Sequence, residues 1–124
     1  MIKLDTGKDI YTIIQSNEQL SGMTLSPCVV KPDTPTPYAV YSRTQTDFVE
    51  TKDFIQKNAD SVEITIVADE YTTGVDLAEK FINTLLTYNY SHLGIKNISL
   101  LNSSESFDFE YQKFIQNITI QIKY

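Results

Sequence analysis

The sequence predicts an α+β domain: a mostly antiparallel sheet of about four strands, with an amphipathic helix packed on one face and a second, N-terminal helix. A length of 124 residues with 41% hydrophobic content suffices for one core, so residues 1–124 are expected to form a single domain. Residues 61–69 alternate apolar and polar side chains, which is typical of a half-buried strand. Residues 73–86 repeat apolar side chains at helical spacing.

The N-terminal helix is predicted to run from about residue 7 to about residue 20. Thr6 and Asp9 have the spacing of a capping box, and Gly22 can adopt the positive φ that often ends a helix. The apolar side chains that share one helical face are Ile10, Ile13 and Ile14.

The segment from residue 26 to residue 37 is predicted to be an extended connector. Proline occurs at positions 27, 32, 35 and 37, and each proline removes a backbone donor. Residues 28–30 are a candidate short edge strand. Cys28 is the only cysteine, cannot close an internal disulfide and is expected to be a buried, inert side chain.

Residues 38–43 and 61–69 form the first pair of predicted strands. In the second of them, the residues expected on the buried face are Val62, Ile64, Ile66 and Ala68. The polar stretch from residue 46 to residue 58 fits either an extended hairpin arm or a loop.

The second helix is predicted to start at Thr73, with the same capping arrangement as Thr6. Its expected apolar stripe consists of Ala78, Phe81, Ile82, Leu85 and Leu86. The opposite face is polar, so this helix is expected to lie on one side of a sheet.

The C-terminal part is predicted to contain a strand at residues 95–101, a turn at 102–106 and a long strand at 107–124. The apolar positions change from odd to even near Gln112, which indicates a bulge or a break there.

Charge and composition exclude several classes of function. Sixteen acidic residues against ten basic ones give a net charge of -6, which disfavours binding to nucleic acid phosphates. No apolar run is long enough to span a membrane, and the N-terminus lacks the features of a signal peptide. We therefore expect a soluble protein made in the cytoplasm, with no membrane partner.

The residues that could carry chemistry have simpler structural interpretations. Asp69 and Glu70 are neighbours on a predicted strand and would point to opposite faces. Asp108 and Glu110 would share a strand face and could hold a divalent cation, but a solvated face is favoured. His92 is expected in an exposed loop. No catalytic, metal or cofactor site is predicted, so the chain is not expected to be an enzyme.

Aromatic residues are frequent, with eight tyrosines and six phenylalanines. Without a basic groove they do not suit a stacking platform for single-stranded nucleic acid. They are expected to fill the core or a protein interface, and the main candidates are Tyr38, Tyr41, Tyr71, Phe107, Phe109 and Tyr111.

Three segments together resemble a known family. They are residues 37–41 (PYAVY), residues 61–71 (SVEITIVADEY) and the helix at residues 73–86, followed by a closing strand that ends at Tyr124. This order is similar to that of the tail-completion (tail terminator) proteins of long-tailed phages and prophages. The similarity extends from Pro37 to Tyr124, and the N-terminal helix also has a counterpart in that family.

The resemblance implies a structural protein that caps the tail tube as a ring, expected to be six-fold, and provides the head–tail joining surface. Its implied partners are further copies of itself, the tail tube protein and a head-completion or neck protein, with no cofactor. It implies assembly in the bacterial host cytoplasm and a place in the virion tail. The alternative is an acidic immunity or inhibitor-type module that binds a basic protein.

The candidate interface residues follow from this implied role. Ring contacts are expected from residues 42–60 and from the sheet edges. If the ring lines a conduit for DNA, carboxylates facing the channel would keep the genome from adhering. The complete set of interface candidates is Asp47, Phe48, Glu50, Asp53, Asp108 and Glu110.

Overall fold

The computed structural model describes residues 2–50 and 56–124 and shows an α+β fold. The elements in chain order are α1 (Thr6–Gln15), α2 (Glu18–Ser21), β1 (Thr24–Pro27), β2 (Tyr38–Glu50), β3 (Gln56–Ala68), α3 (Tyr71–Thr87), a 3-10 turn (Ser91–Leu93), β4 (Asn97–Asp108) and β5 (Lys113–Lys123). The sheet has the order β1-β2-β3-β5-β4. Only the β1–β2 pairing is parallel, so the mostly antiparallel sheet is confirmed, with five strands in place of about four.

The core lies between one face of this sheet and the helices α1 and α3. Ile10, Ile13 and Ile14 of α1 are fully buried, as predicted from their spacing. The central strands contribute the alternating residues Val62, Ile64, Ile66 and Ala68 from β3 and Ile118, Ile120 and Ile122 from β5. We call this the covered face of the sheet.

Helix α3 uses a slightly different stripe from the predicted one. Phe81 is completely buried and Leu85 nearly so, but Leu86 is half exposed, and Leu77 is buried in addition. The buried residues of α3 are at positions 74, 77, 78, 81 and 85, which follow the i, i+3, i+4, i+7 pattern. The helix still packs on one side of the sheet, as predicted.

The predicted capping roles of Thr6 and Thr73 are wrong, although α1 begins at Thr6, close to its predicted start, and α3 begins two residues before Thr73. The helices are capped by Asp5 and Glu70, and neither cap uses a side-chain hydrogen bond. The Thr6 hydroxyl instead donates to the buried carboxylate of Asp60, on β3. The Thr6 side chain therefore bonds to a residue distant in the sequence and, contrary to the prediction from the local pattern, does not cap the helix.

The first helix is shorter than predicted. It ends at Gln15, and the Asn17 side chain accepts a hydrogen bond from the backbone N–H of Gln19 at 2.9 Å, which starts the separate helix α2. Gly22 follows α2 with a φ of -82°, so its predicted positive φ is not used.

The connector strand also differs from its prediction. β1 occupies Thr24–Pro27, pairs in parallel with β2 and ends where Cys28 takes a φ of 63°. The Cys28 N–H donates to the Tyr41 carbonyl at 2.8 Å, which closes the strand pair. The Cys28 side chain is exposed, so its predicted burial is wrong.

The polar stretch after residue 43 forms a hairpin arm. β2 continues to Glu50, which pairs with Gln56 at the start of β3. β5 pairs with β3 only as far as Ala59, so residues 47–50 and 56–58 project beyond the sheet. We call these residues the arm. Of the two alternatives for the polar stretch, the extended hairpin arm is confirmed for residues 46–50 and 56–58.

A bulge separates the arm from the rest of β2. Arg43 pairs with Val62 and Gln45 with Ser61, which leaves Thr44 as an extra residue. Beyond Thr44 the alternation is reversed, and even-numbered residues of β2 share the covered side with the even-numbered residues of β3.

The predicted turn at residues 102–106 is wrong. These residues lie inside β4, and the turn that joins β4 to β5 is at residues 109–112, where Gln112 has a φ of 56°. Of the two alternatives near Gln112, a bulge or a break, the break is confirmed, and the predicted strand at residues 107–124 is wrong because this turn interrupts it. The Asn and Ser side chains of β4 are exposed on an edge strand, which explains their turn-like composition.

Candidate assembly surfaces

Five of the six predicted interface residues fall at two opposite ends of the sheet. Asp47, Phe48 and Glu50 lie on the arm, whereas Asp108 and Glu110 lie at the β4–β5 turn. The two ends are separated by the length of β3 from Ala59 to Ala68, roughly 30 Å for an extended strand. Asp53 lies outside the described residues. The structure therefore divides the predicted set into two surfaces.

On the arm, the reversed alternation separates the charged candidates. Phe48 and Glu50 face the covered side, and Asp47 faces the open side of the sheet. Phe48 is 56% exposed. The Asp47 carboxylate accepts a hydrogen bond from the Gln45 side chain at 2.8 Å. The arm thus presents one aromatic side chain and carboxylates on both of its sides.

A buried polar cluster holds the base of the arm. The Asp60 carboxylate is fully buried and accepts hydrogen bonds from the hydroxyls of Thr6 and Thr46 and from the Asn58 amide. We call these four residues the basal cluster. All three donors to the Asp60 side chain are uncharged groups.

The two ends of the chain extend the basal cluster. The Lys3 N–H donates to the Asn58 side chain at 3.0 Å, and the Lys3 ammonium pairs with Asp9 at 2.8 Å. The Tyr124 hydroxyl donates to the same Asp9 carboxylate at 2.7 Å. Burial raises the pKa of Tyr124 well above its usual range; the Thr6 hydroxyl opposes this shift and Asp9 adds to it. The chain termini are therefore fastened beside the base of the arm.

The β4–β5 turn carries a cluster of aromatic rings that includes Phe107, Phe109 and Tyr111, which were expected in the core or in a protein interface. The Phe107 ring stacks edge-on against Phe109 at 5.1 Å and against Phe114 at 4.8 Å. Phe109 is 81% exposed and Tyr111 is 66% exposed. We call Phe109, Glu110 and Tyr111 the aromatic tip. Their alternation was visible in the sequence, but it did not distinguish a core from a surface.

Asp108 shapes this turn through its backbone contacts. Its carboxylate accepts hydrogen bonds from the N–H groups of Glu110 at 3.0 Å and Tyr111 at 3.3 Å. Glu110 lies in the turn and not on a strand, so the two carboxylates do not share a strand face as predicted. Among the residues with described positions, no group of three potential ligands suited to a metal is found.

Three lysines lie at the arm end of the sheet, and one of them, Lys57, belongs to the arm. Lys57 and Lys123 share the open side by strand alternation, and Lys96 immediately precedes β4. The Lys57 ammonium lies beside Lys96 and lowers the pKa of Lys96. We call these three residues the lysine group. It places positive charge at the end of the sheet opposite the aromatic tip.

A cleft of about 560 Å³ lies between the connector and the open side of the sheet. Its lining includes Val30, Pro32, Val67 and Ile115. At its rim Lys113 pairs with Asp69, and the hydrogen bonds from Lys113 and Thr36 lower the pKa of Asp69. The lining also includes Asp108 and Tyr111 from the β4–β5 turn.

The remaining sequence candidate, His92, is exposed as predicted, and its ring nitrogen lies 3.3 Å from the Tyr88 hydroxyl. None of the helices in the described ranges is long and apolar enough to cross a membrane.

Comparison with known proteins reveals a shared fold. No family model matches the chain, and no curated protein sequence matches it. A solved structure described as the virion of a native gene transfer agent (GTA) particle contains a chain with a TM-score of 0.74 to this one. The two chains are 10% identical, and the match covers 92% of this chain and 90% of the other. This chain therefore has the fold of a chain in that virion.

Proposed function

We propose that the protein is a structural component of a phage-like virion. In this proposal it caps the end of the tail tube as a ring, expected to be six-fold, and presents the surface on which the head or neck docks. The observation that carries the proposal is the fold shared with a virion chain over 92% of the residues. The order of strands and helix that resembles tail terminators supports the finer role.

The shape of the subunit supports a ring. A ring built from identical copies needs two different surfaces on each copy, because every contact is heterologous. The arm and the aromatic tip are two such surfaces at opposite ends of one rigid core. A role that depends on contacts also needs no catalytic group.

The geometry supports only part of the acidic-channel hypothesis. Asp47 and Asp108 face the open side by strand alternation, whereas Glu50 faces the covered side and Glu110 lies in the turn. Between the two aspartates the open side carries neutral polar residues such as Thr65 and Asn117, which bond to each other at 2.8 Å. We propose this open side as the channel wall; Lys57, Lys113 and Lys123 also lie on it, so it is a surface of mixed charge with little net attraction for DNA.

Negative-stain imaging of purified protein mixed with tail tubes tests the capping role. We expect added density at one end of each tube, and we expect deletion of the gene to give overlong or headless tails. Normal virions from the deletion, or no association with tubes at any salt concentration, would overturn the proposal. The channel assignment is tested separately by duplex binding, and tight binding at physiological salt would contradict it.

The immunity or inhibitor alternative receives less support from the structure. Such a module needs its carboxylates together on one surface to cover a basic partner. The candidate carboxylates in the described ranges are divided between two distant ends of the sheet.

A further inference from the structure

The aromatic tip has the features of a protein contact. Phe109 is the most exposed aromatic side chain among the residues described, and Tyr111 is next. Burying exposed aromatic surface is favourable by about 25 cal/mol per Å². The edge-on stacking of Phe109 on Phe107 fixes the ring in place, so little side-chain entropy is lost on docking.

The charge around the rings restricts the partner. Asp108 and Glu110 flank Phe109 in the sequence, and Glu105 lies in the same strand behind the tip. The Glu110 carboxylate forms no ion pair in the part of the chain that the structure describes. Two aromatic faces between carboxylates suit ammonium groups, which are attracted both to ring faces and to carboxylates. The tip therefore fits a surface with closely spaced lysines.

The lysine group is such a surface on the same chain. Within residues 2–50 and 56–124, the ion pairs are Lys3–Asp9 and Lys113–Asp69, and neither involves Lys57, Lys96 or Lys123. The Lys57 ammonium lies beside Lys96 and repels its positive charge, which lowers the pKa of Lys96. An approaching carboxylate would relieve that repulsion.

We propose that the aromatic tip of one copy docks on the lysine group of a second copy. The tip and the lysine group lie at opposite ends of the sheet, so one copy cannot satisfy its own contact. Each docked copy leaves one free tip and one free lysine group, which makes the contact head-to-tail. Head-to-tail contacts give a ring when their rotation closes. This inference deepens the proposed function and rests on it for the ring, but the contact itself can be tested alone.

NMR spectra of the ¹⁵N-labelled protein test the contact from micromolar to millimolar concentration at low salt. We expect concentration-dependent shifts in two places, residues 107–112 and the lysine group, and we expect added salt to reduce them. This range detects weak pairing even if the full ring forms only on a tube. No concentration-dependent shift at these two places would overturn the proposal.

Charge reversal identifies the partners. Glu110→Lys is suitable because the Glu110 side chain has no described hydrogen bond, unlike Asp108. We expect Glu110→Lys or Lys96→Glu alone to weaken self-association about tenfold, and the two together to restore it. Glu79→Lys makes the same charge change on the exposed side of α3 and should leave self-association unchanged. A double variant at least as weak as either single variant would overturn the proposed pairing.

The same variants separate this inference from the proposed function. If wild-type protein caps tail tubes but Glu110→Lys leaves self-association unchanged, the contact is wrong and the capping role stands. If the double variant restores self-association but wild-type protein does not bind tail tubes, the contact stands and the capping role is wrong.

Discussion

The two hairpins of this protein are stabilised in opposite ways. The arm is fixed from within, because the fully buried Asp60 carboxylate accepts hydrogen bonds from Thr6 and Thr46 at its base. The β4–β5 turn is fixed at the surface, by the backbone contacts of Asp108 and by a stacked ring that is 81% exposed. The comparison teaches that projecting hairpins need not have equal roles. The base of the arm belongs to the fold, whereas the turn leaves its side chains available to a partner.

The energetic reason is the asymmetry of hydrogen bonding. When one partner of a buried hydrogen bond is removed, the group that remains has neither a bond nor water. This costs about 1–3 kcal/mol for each group and more for charged ones. An exposed group regains water when it loses a partner. The same type of substitution should therefore have very different effects at the two hairpins.

The largest effect is expected from the core that both hairpins share. Phe81→Ala should reduce the free energy of unfolding by about 3–5 kcal/mol, because a fully buried ring is lost from the interface between α3 and the sheet. Urea denaturation followed by circular dichroism measures this loss. A loss below about 1 kcal/mol would contradict the packing described here.

The next effect separates the two hairpins. Asp60→Ala removes the acceptor of the buried Thr6 hydroxyl, of the half-buried Thr46 hydroxyl and of one bond from the Asn58 amide, and it should cost about 3 kcal/mol. Asp108→Ala, the matched change at the exposed turn, should cost about 1 kcal/mol. Amide hydrogen exchange should increase first in the arm for Asp60→Ala. Equal costs for the two variants would mean that the hairpins are anchored alike.

A smaller effect depends on pH. Because the folded-state pKa of Tyr124 is raised above its unfolded value, the folded protein binds more protons above about pH 10, and the free energy of unfolding should fall there. Tyr124→Phe should remove this contribution, at a cost of about 1 kcal/mol at neutral pH for the lost bond to Asp9. Tyr111→Phe, at the exposed tip, is the control. An unchanged alkaline dependence in Tyr124→Phe would show that its hydroxyl is not buried with Asp9.

The smallest effect on stability is expected at the tip. Phe109→Ala should change the free energy of unfolding by less than about 0.5 kcal/mol, because most of the ring is already in water. It should nevertheless reduce the self-association seen by NMR. A large loss of stability would assign the ring to the fold and not to a contact.

The covered face was predictable from the sequence because the helices exclude water from one side of the sheet and not from the other. The helices exclude water from Val62, Ile64 and Ile66, while their neighbours remain more accessible, so the sequence alternates. The same reasoning located most of the stripe on α3 and the phase change near Gln112.

The rest was not predictable because its determinants are distant or absent in the sequence. Residues 102–106 lie in an exposed edge strand, so no alternation distinguishes them from a turn. Thr6 bonds to Asp60, which is 54 positions away, and a local capping rule cannot detect that partner. The division of the candidate carboxylates between two ends follows from strand pairing, which their spacing does not encode.

The extra residue at Thr44 has a consequence for how this protein can change over time. Because the bulge resets the alternation, the apolar pattern required by the core ends before the arm, and only the base of the arm is constrained, by the buried Asn58 and Asp60. Insertion of two residues on each strand would lengthen the reach by about 7 Å and preserve the side to which each side chain points. The arm can thus evolve to meet partners of different size while the body of the protein stays the same.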